Sequence, residues 1–241
     1  MLAALKHYYW KYVDYVWCRL RHGLADKKHA REFRFWRKRW RNEGGTLRHE
    51  RYEPIFLAMA GEQDQSFLRD QVVADFGCGP RGSLCWATQA RDRIGIDVLA
   101  DAYQHLGADR HPMRYVRSTE SEIPLADESV DVLCTLNALD HVHNLPVICA
   151  ELMRVLKPGG TFIGSFNLHE PPTVTEPQTL TTELLEQHLL RHLELKSRRQ
   201  VPRGKSTAYE YFFSAAPAEV VAADAVQVLW VRGVKRELHR S

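Results

Sequence analysis

The sequence lacks any pair of cysteines spaced for a disulfide framework or a metal-binding knuckle. Its five cysteines are scattered, and no CxxC motif occurs: Cys18, Cys78, Cys85, Cys134 and Cys149. An odd, dispersed set is typical of reduced thiols inside a cell rather than of a secreted, disulfide-stapled domain. We therefore expect a cytoplasmic protein.

Long hydrophobic runs are also lacking. The apolar N-terminal stretch is interrupted by Lys6, Lys11, Asp14 and Arg19, whereas a membrane span needs about 20 consecutive apolar residues. No signal-peptide cleavage pattern follows it. The sequence thus predicts neither a membrane span nor a targeting segment, and it contains no internal repeat or low-complexity segment.

The composition that remains is that of a packed globular protein. The chain has 241 residues, of which 44% are hydrophobic and 26% charged, enough for one large α/β domain with an appended segment. Residues 1–50 hold 13 Lys and Arg against 5 Asp and Glu, although the formal net charge of the chain is only +3. We expect a basic helical extension or lid over residues 1–50 and one domain over residues 51–241.

The basic extension has the spacing of helices. Phe33, Trp36 and Trp40 recur at intervals of three and four, which places them on one helical stripe. Gly23 predicts a break between two helices, and Gly44-Gly45 predicts the end of the second. The aromatic stripe mixed with cations is typical either of a lid beside an acceptor pocket or of a surface for RNA or an anionic membrane.

From residue 72 onward, short β-branched runs alternate with helical spacing, which indicates βαβ units and a parallel sheet. Strands are predicted at 72–76, 93–98, 113–117, 130–136, 161–166, 193–201 and 226–234. Helices are predicted at 84–90, 100–106, 146–156 and 180–192, with a loop over 170–182.

A glycine loop follows the first predicted strand, in the order Gly77-Cys78-Gly79-Pro80-Arg81-Gly82. Ligands of open parallel sheets bind at such strand ends, because glycines let a ligand approach the backbone. The same glycines also spell GxGxxG, and Asp97 follows at the distance expected in a dinucleotide-binding fold. Asp75 argues against a dinucleotide, since a carboxylate repels a pyrophosphate but attracts a cationic amino-acid group.

Four blocks of sequence extend the pattern beyond the loop. They are Val73-Ala-Asp-Phe-Gly-Cys-Gly-Pro80, Gly95-Ile-Asp97, Ile123-Pro-Leu-Ala-Asp-Glu-Ser-Val-Asp-Val132 and Glu151-Leu-Met-Arg-Val-Leu-Lys-Pro-Gly-Gly160. Through these blocks the chain resembles the class I S-adenosylmethionine-dependent methyltransferases of the methyltransferase-11-like group. The resemblance implies a Rossmann-like, mostly parallel seven-stranded sheet in the order 3-2-1-4-5-7-6, and S-adenosylmethionine as cofactor.

The resemblance also assigns cofactor contacts. It implies that Asp75, Gly77 and Gly79 line the methionine part and that Asp97 accepts hydrogen bonds from the ribose, with an N-cap as the alternative for Asp97. The remaining cofactor contacts that it implies are Cys78, Val98, Thr119, Glu120 and Asn137. At the position of Cys78 the family has a small residue. Thr119 and Glu120 are the least defined of these, because many relatives have Gly-Asp where this chain has Ser118-Thr119.

The acceptor side is expected after the fourth and fifth strands. Asn137 stands where such enzymes present the methyl group, and His141 followed by His143 are the candidate general bases, with capping or pairing to Asp140 as the alternative. Asn167 and His169, with His141, are candidate acceptor contacts. The Asn/Asp-Pro-Pro-Tyr/Phe motif of enzymes that methylate DNA bases or glutamine amides is absent.

No metal site is predicted, because His188 and His192 lack a convincing third ligand. The predicted activity is O- or N-methylation of a small-molecule acceptor, for instance a saccharide or a biosynthetic intermediate; nucleic acid is disfavoured as a partner. The alternatives are an RNA- or membrane-associated methyltransferase, a non-catalytic cofactor-binding protein and an NAD-dependent oxidoreductase.

Overall fold

Seven strands form one mixed sheet in a computed structural model of the protein. The structure describes residues 12, 13, 15–17, 19–24, 26–203 and 225–237. The strands are β1 (Val72–Phe76), β2 (Asp92–Asp97), β3 (Arg114–Arg117), β4 (Val130–Leu136), β5 (Leu156–Leu168), β6 (Leu193–Pro202) and β7 (Gln227–Lys235). Their order is β3-β2-β1-β4-β5-β7-β6, which confirms the predicted order.

The pairing divides the sheet into a parallel part and an antiparallel edge. Strands β1 to β5 pair in parallel, whereas β7 is antiparallel to both β5 and β6. The structure extends β5 from the predicted residues 161–166 to Leu156–Leu168, with a register irregularity opposite Val130 and Val132. All parallel strands end at one edge, so the loops after β1, β2 and β4 meet there.

Five α-helices lie entirely within the described residues. They are α1 (Lys27–Asn42), α2 (Tyr52–Ala60), α3 (Ala100–Tyr103), α4 (Leu145–Val155) and α5 (Thr182–His188). Short 3₁₀ turns follow α3 and α5 and complete the predicted segments 100–106 and 180–192. The described residues between 12 and 22 are also helical and end at Gly23, while Cys18 lies outside the described residues.

Helix α1 begins after the predicted break at Gly23 and ends just before Gly44-Gly45, where the sequence predicts its end. The Asp26 side chain accepts hydrogen bonds from the backbone N–H groups of Lys28 and His29 at 2.6 and 3.1 Å, which caps the helix. At the other end Gly44 and Gly45 have φ of 74° and 86°, a left-handed conformation that glycine adopts without steric cost.

The helix predicted at 84–90 is not formed. Turns occupy this segment, closed by hydrogen bonds from Cys85 N to Gly82 O and from Ala87 N to Leu84 O, each three residues apart. Gly82, two residues before the segment, has φ of 71°, and a Cβ there would lie 2.5 Å from Cys85 Sγ. The prediction was wrong because the apolar spacing is that of a tightly packed turn.

Both faces of the sheet are covered. Along β5, Phe162 and Phe166 contribute to the cluster beneath α4 and α5, while Ile163 contributes to the cluster beneath α2. Burial on both faces is the expected environment of parallel strands. A third cluster joins Phe33 of α1 to Tyr103 of α3, above the carboxyl ends of the strands.

Among the described residues, no helix is both long and apolar enough to cross a membrane.

Candidate functional site

A cavity of about 280 Å³ lies at the carboxyl ends of β1, β2 and β4, with α1 above it. Its floor is the glycine loop and its walls come from the segments that follow β2, β3 and β4. All nine residues predicted as cofactor contacts line it: Asp75, Gly77, Cys78, Gly79, Asp97, Val98, Thr119, Glu120 and Asn137. Four residues of the extension, Lys28, His29, Glu32 and Trp36, line it too, as does His141.

The glycine loop is shaped by close approaches of other atoms. Gly77 has φ of 71°, and a Cβ there would lie 2.2 Å from the Cβ of Ala138. Gly79 has φ of 59°, and its Cβ would lie 3.1 Å from the Trp36 ring, which packs over the loop. Only glycine fits either position without displacement, so the backbone itself forms the cavity floor.

Asp75 lies at the end of β1 and is 2% exposed. Its Oδ2 accepts a hydrogen bond from Ser83 Oγ at 2.5 Å, while Oδ1 is buried with no hydrogen-bond partner in the described structure. Burial raises the pKa of Asp75 to about 7, against the lowering effect of Ser83. A buried carboxylate oxygen without a partner is costly, and a cationic ligand would satisfy it.

Asp97 ends β2 and is fixed by two backbone donors. Gly79 N donates to its Oδ2 at 3.1 Å and Leu99 N to its Oδ1 at 2.9 Å. Burial raises its pKa to about 6 despite these bonds. The N-cap position of α3 is Leu99, so Asp97 does not occupy the N-cap that the sequence left as an alternative. It ties the glycine loop to β2 and retains free lone pairs towards the cavity.

Cys78 is a packing residue of the loop. Its Sγ packs so closely on Gly95 that a Cβ at Gly95 would lie only 2.7 Å from it. Burial raises the pKa of the Cys78 thiol well above its usual value, which disfavours the nucleophilic thiolate.

Helix α1 is bound to the strand ends through Glu120. The Glu120 Oε1 accepts hydrogen bonds from Lys28 Nζ and His29 Nε2, both at 2.8 Å. Although burial raises the pKa of Glu120, these bonds lower it to about 2. Thr119 beside it is exposed at the cavity rim.

A second anchor holds the far end of α1. Arg81 is 6% exposed and donates to both oxygens of Glu43, at 2.9 and 2.5 Å, and to Arg48 O at 2.9 Å. Its guanidinium carbon lies 5.5 Å from the Trp36 ring centroid, within cation–π range. The loop and the helix above it therefore form one packed unit.

Asn137 follows β4 in a left-handed conformation, with φ of 50°. Its backbone N–H donates to Ser165 O at 2.8 Å, and its Oδ1 accepts from Ser165 Oγ at 3.1 Å. A non-glycine residue with positive φ stores strain and is enriched at functional sites.

His141 lines the cavity and is held by an acid from α1. Its Nδ1 lies 3.0 Å from Glu32 Oε2. Burial alone would lower the pKa of His141, but the hydrogen bond and charge of Glu32 raise it to about 9. In this arrangement the ring is protonated near neutral pH, so it is a poor general base and a good hydrogen-bond donor.

The other predicted acceptor residues are not brought to this cavity. The His143 side chain is exposed, and its backbone N–H faces Glu120 at 3.4 Å. Asn167 is buried and donates to Glu170 Oε2 at 3.1 Å. His169, with φ of 62°, turns the chain after β5. None of the three lines the cavity.

The sequence analysis named Trp36 as part of the aromatic stripe but missed Lys28 and Glu32 as site residues. The three recur every four residues, which puts them on one face of α1. That spacing is present in the sequence, but the many charged residues of this helix fit an exposed face equally well, so the spacing alone does not single out Lys28 and Glu32.

Comparisons with known proteins agree with this geometry. Residues 74–164 match the family model described as a methyltransferase domain. A "probable S-adenosylmethionine-dependent methyltransferase" of Mycolicibacterium smegmatis is 36% identical over 95 residues, which cover 39% of this chain and 37% of that protein. An "uncharacterized methyltransferase" of Mycobacterium ulcerans is 32% identical over 127 residues, 48% of each chain. The chain thus spans less than half the length of these curated relatives.

The fold is shared with a solved methyltransferase structure. The 1,6-didemethyltoxoflavin-N1-methyltransferase of Burkholderia thailandensis, solved with that compound and S-adenosylhomocysteine bound, has a TM-score of 0.54 and 19% identity. The similarity covers 85% of this chain and 84% of that one.

Proposed function

The central part of the chain, residues 74–164, belongs to the class I S-adenosylmethionine-dependent methyltransferases, and from this we propose that the protein methylates a small-molecule acceptor. S-adenosylmethionine supplies an activated methyl group on a sulfonium. The chain must then bind that cofactor, exclude water and align an acceptor, because alignment contributes much of the rate of an in-line displacement.

The observation that carries the proposal is the buried, partnerless Oδ1 of Asp75 beside the glycine loop. The cationic amino group of the methionine moiety is a partner of the right charge, and its binding would favour the charged form of Asp75. Asp97 offers acceptor lone pairs for ribose hydroxyls at the neighbouring strand end. The residues present therefore fit this cofactor.

The same site disfavours a dinucleotide. A pyrophosphate is usually bound by the N-terminus of the helix that follows the glycine loop. Here turns replace that helix, and Asp75 adds negative charge at the loop. An NAD-dependent oxidoreductase is thus the weaker interpretation.

A small acceptor is supported by the cover over the cavity. Phe33 is buried against α3, and Trp36 packs on Gly79. These two aromatic residues of α1 therefore contact the methyltransferase-like part of the chain itself and not RNA or a membrane. The similar chain from Burkholderia thailandensis was solved with a small-molecule compound bound. We place the acceptor beside Asn137 and His141, which both line the cavity. A cytoplasmic location remains a prediction from the scattered cysteines.

An acceptor screen tests this function. The purified full chain is incubated with methyl-labelled S-adenosylmethionine and, separately, with a small-molecule cell extract, total RNA and anionic vesicles. Label transfer to the small-molecule fraction, lost in His141→Ala, is expected. Transfer to RNA or lipid alone would establish the alternative acceptor class, and cofactor binding without any transfer would favour a non-catalytic binding protein.

A further inference from the structure

Three potential metal ligands converge beside the cavity. Asp140 and His141 belong to the 3₁₀ turn Leu139–His141 after β4, and Glu176 belongs to the loop after β5. One ligand atom from each lies within 4.8 Å of the other two. The two segments are distant in sequence, so the fold rather than local spacing assembles this cluster.

The imidazole of His141 is oriented as metal-binding histidines are. Its Nδ1 is held by Glu32 Oε2 at 3.0 Å, which leaves Nε2 on the other side of the ring. Nε2 lies 3.9 Å from Asp140 Oδ1 and 3.8 Å from Glu176 Oε1. A carboxylate on one ring nitrogen and a cation on the other is the usual arrangement in protein metal sites.

The Asp140 carboxylate gives an independent indication of a cation site. The residue is 3% exposed, and its Oδ1 is buried without a hydrogen-bond partner in the described structure. This is the oxygen that faces His141 Nε2. Since buried carboxylate oxygens are almost always partnered, this one is directed at a position that a cation would fill.

Glu176 is held in place by the loop that carries it. Gln178 N donates to Asp140 O at 3.1 Å, and Gln178 Nε2 donates to His143 O at 3.0 Å, which fastens the loop to the turn. Thr173 Oγ1 donates to Glu176 Oε2 at 3.2 Å. The other oxygen, Oε1, is left facing the cluster.

The charge balance favours a dication. Asp140 and Glu176 face one nitrogen of a single imidazole, while Glu32, which also lies near the charge of Lys28, faces the other nitrogen. Within the described part of the chain, His141 is the one basic residue in ion-pair range of Asp140 or Glu176. An imidazolium offsets one of these charges, whereas a divalent cation bound to a neutral imidazole would offset two.

We propose that Asp140, His141 and Glu176 bind a divalent cation, Mn²⁺ or Zn²⁺, with Glu32 positioning His141. His141 Nε2 lies 3.9 and 3.8 Å from the two carboxylate oxygens, and all three atoms lie within 4.8 Å of one another. Small adjustments of these side chains bring all three to the usual distance of about 2.0 to 2.2 Å from one cation. An imidazole nitrogen with two carboxylates suits these first-row ions better than Ca²⁺. The site adjoins the cofactor cavity through His141 but does not depend on methyl transfer.

Titration of the full chain with Mn²⁺ after removal of metals by chelation tests this site, with the electron paramagnetic resonance signal of free Mn²⁺ as the readout; Zn²⁺ is then added in competition. We expect one saturable site. Glu176→Gln and Asp140→Asn should each weaken Mn²⁺ binding at least tenfold, and Glu32→Gln by about ten- to a hundredfold. Glu183→Gln, an exposed carboxylate of α5, is the matched control and should change nothing.

Unsaturable binding of both ions, or binding that Glu176→Gln and Asp140→Asn leave unchanged, would overturn the proposal. Because Glu176 does not line the cavity, Glu176→Gln should retain S-adenosylhomocysteine binding. That second titration separates the two proposals: loss of metal binding with cofactor binding intact supports the cation site, and failure of the wild type to bind cofactor counts against the proposed function alone.

Discussion

At the scale of single residues, the site contains acids whose burial opposes folding. Asp75 and Asp97 are buried, and burial raises their pKa values to about 7 and about 6. A carboxyl whose folded pKa is raised stabilises the fold below its ordinary pKa near 3.8 and loses this contribution as the pH rises through the folded value. The charged forms of these two acids therefore cost stability, and we propose that the acids serve ligand binding instead.

We predict that Asp75→Asn is more stable than the wild type at pH 8, because the neutral amide avoids the cost of a buried charge. Three pKa units correspond to at most about 4 kcal/mol. The gain should shrink towards zero as the pH falls from 7 to 4. Urea unfolding across this range measures it, with the exposed Asp109→Asn as control; a gain that does not depend on pH would contradict the assignment.

Gly77 offers a test of the loop geometry with a matched partner. Gly77→Ala places a Cβ 2.2 Å from Ala138 Cβ, whereas Gly107→Ala, also at positive φ, meets nothing within 4 Å. Both variants should lose about 1 to 2 kcal/mol from backbone strain, and Gly77→Ala a further 1 to 3 kcal/mol or so from overpacking. Equal losses of unfolding free energy in urea for the two variants would contradict the close packing of Gly77 against Ala138.

At the scale of elements, α1 closes the cavity through its two anchors. Glu43 is the acid on which the buried Arg81 depends, and the Arg81 guanidinium holds the pKa of Glu43 at about 2. A lowered carboxyl pKa contributes stability above its ordinary value near 4.5 and loses it as the pH falls towards 2. The anchor is thus fully formed at neutral pH.

We expect Glu43→Gln to cost about 1 to 3 kcal/mol at pH 7 and to weaken S-adenosylhomocysteine binding several-fold, because Trp36 would no longer be held over Gly79. Glu186→Gln removes the partner of the more exposed Arg198 and should cost almost nothing. Thermal unfolding and cofactor titration of both variants measure this. If Glu43→Gln matches Glu186→Gln in both, α1 is not anchored through Arg81.

The elements also show what the sequence determines locally. Strand positions follow from runs of β-branched residues and were predicted within one or two residues, β5 excepted. The segment 84–90 failed because apolar spacing alone does not distinguish a helix from packed turns. Helix α2 was not predicted, yet Phe56 stacks on Trp86 with ring centroids 5.9 Å apart. Helix α2 covers the sheet face beside those turns, where the predicted helix would have packed. Only the three-dimensional structure shows this.

At the scale of the whole molecule, parallel strand order brings distant residues to one edge of the sheet. Asp75, Asp97 and Asn137 meet there because β1, β2 and β4 end there, so the resemblance and the topology were enough to predict where these residues lie. Glu32 and Glu176 were not predictable in this way. They arrive on a covering helix and a loop, whose docking depends on side-chain contacts rather than on strand order.

The most direct test of the central claim is isothermal titration of the full chain with S-adenosylmethionine, S-adenosylhomocysteine and NAD. Asp97→Ala is titrated in parallel, with Asp101→Ala, an exposed acid on α3, as control. We predict micromolar binding of the first two ligands, abolished by Asp97→Ala and unchanged in Asp101→Ala. Binding of NAD alone, or cofactor binding that survives Asp97→Ala, would contradict the account.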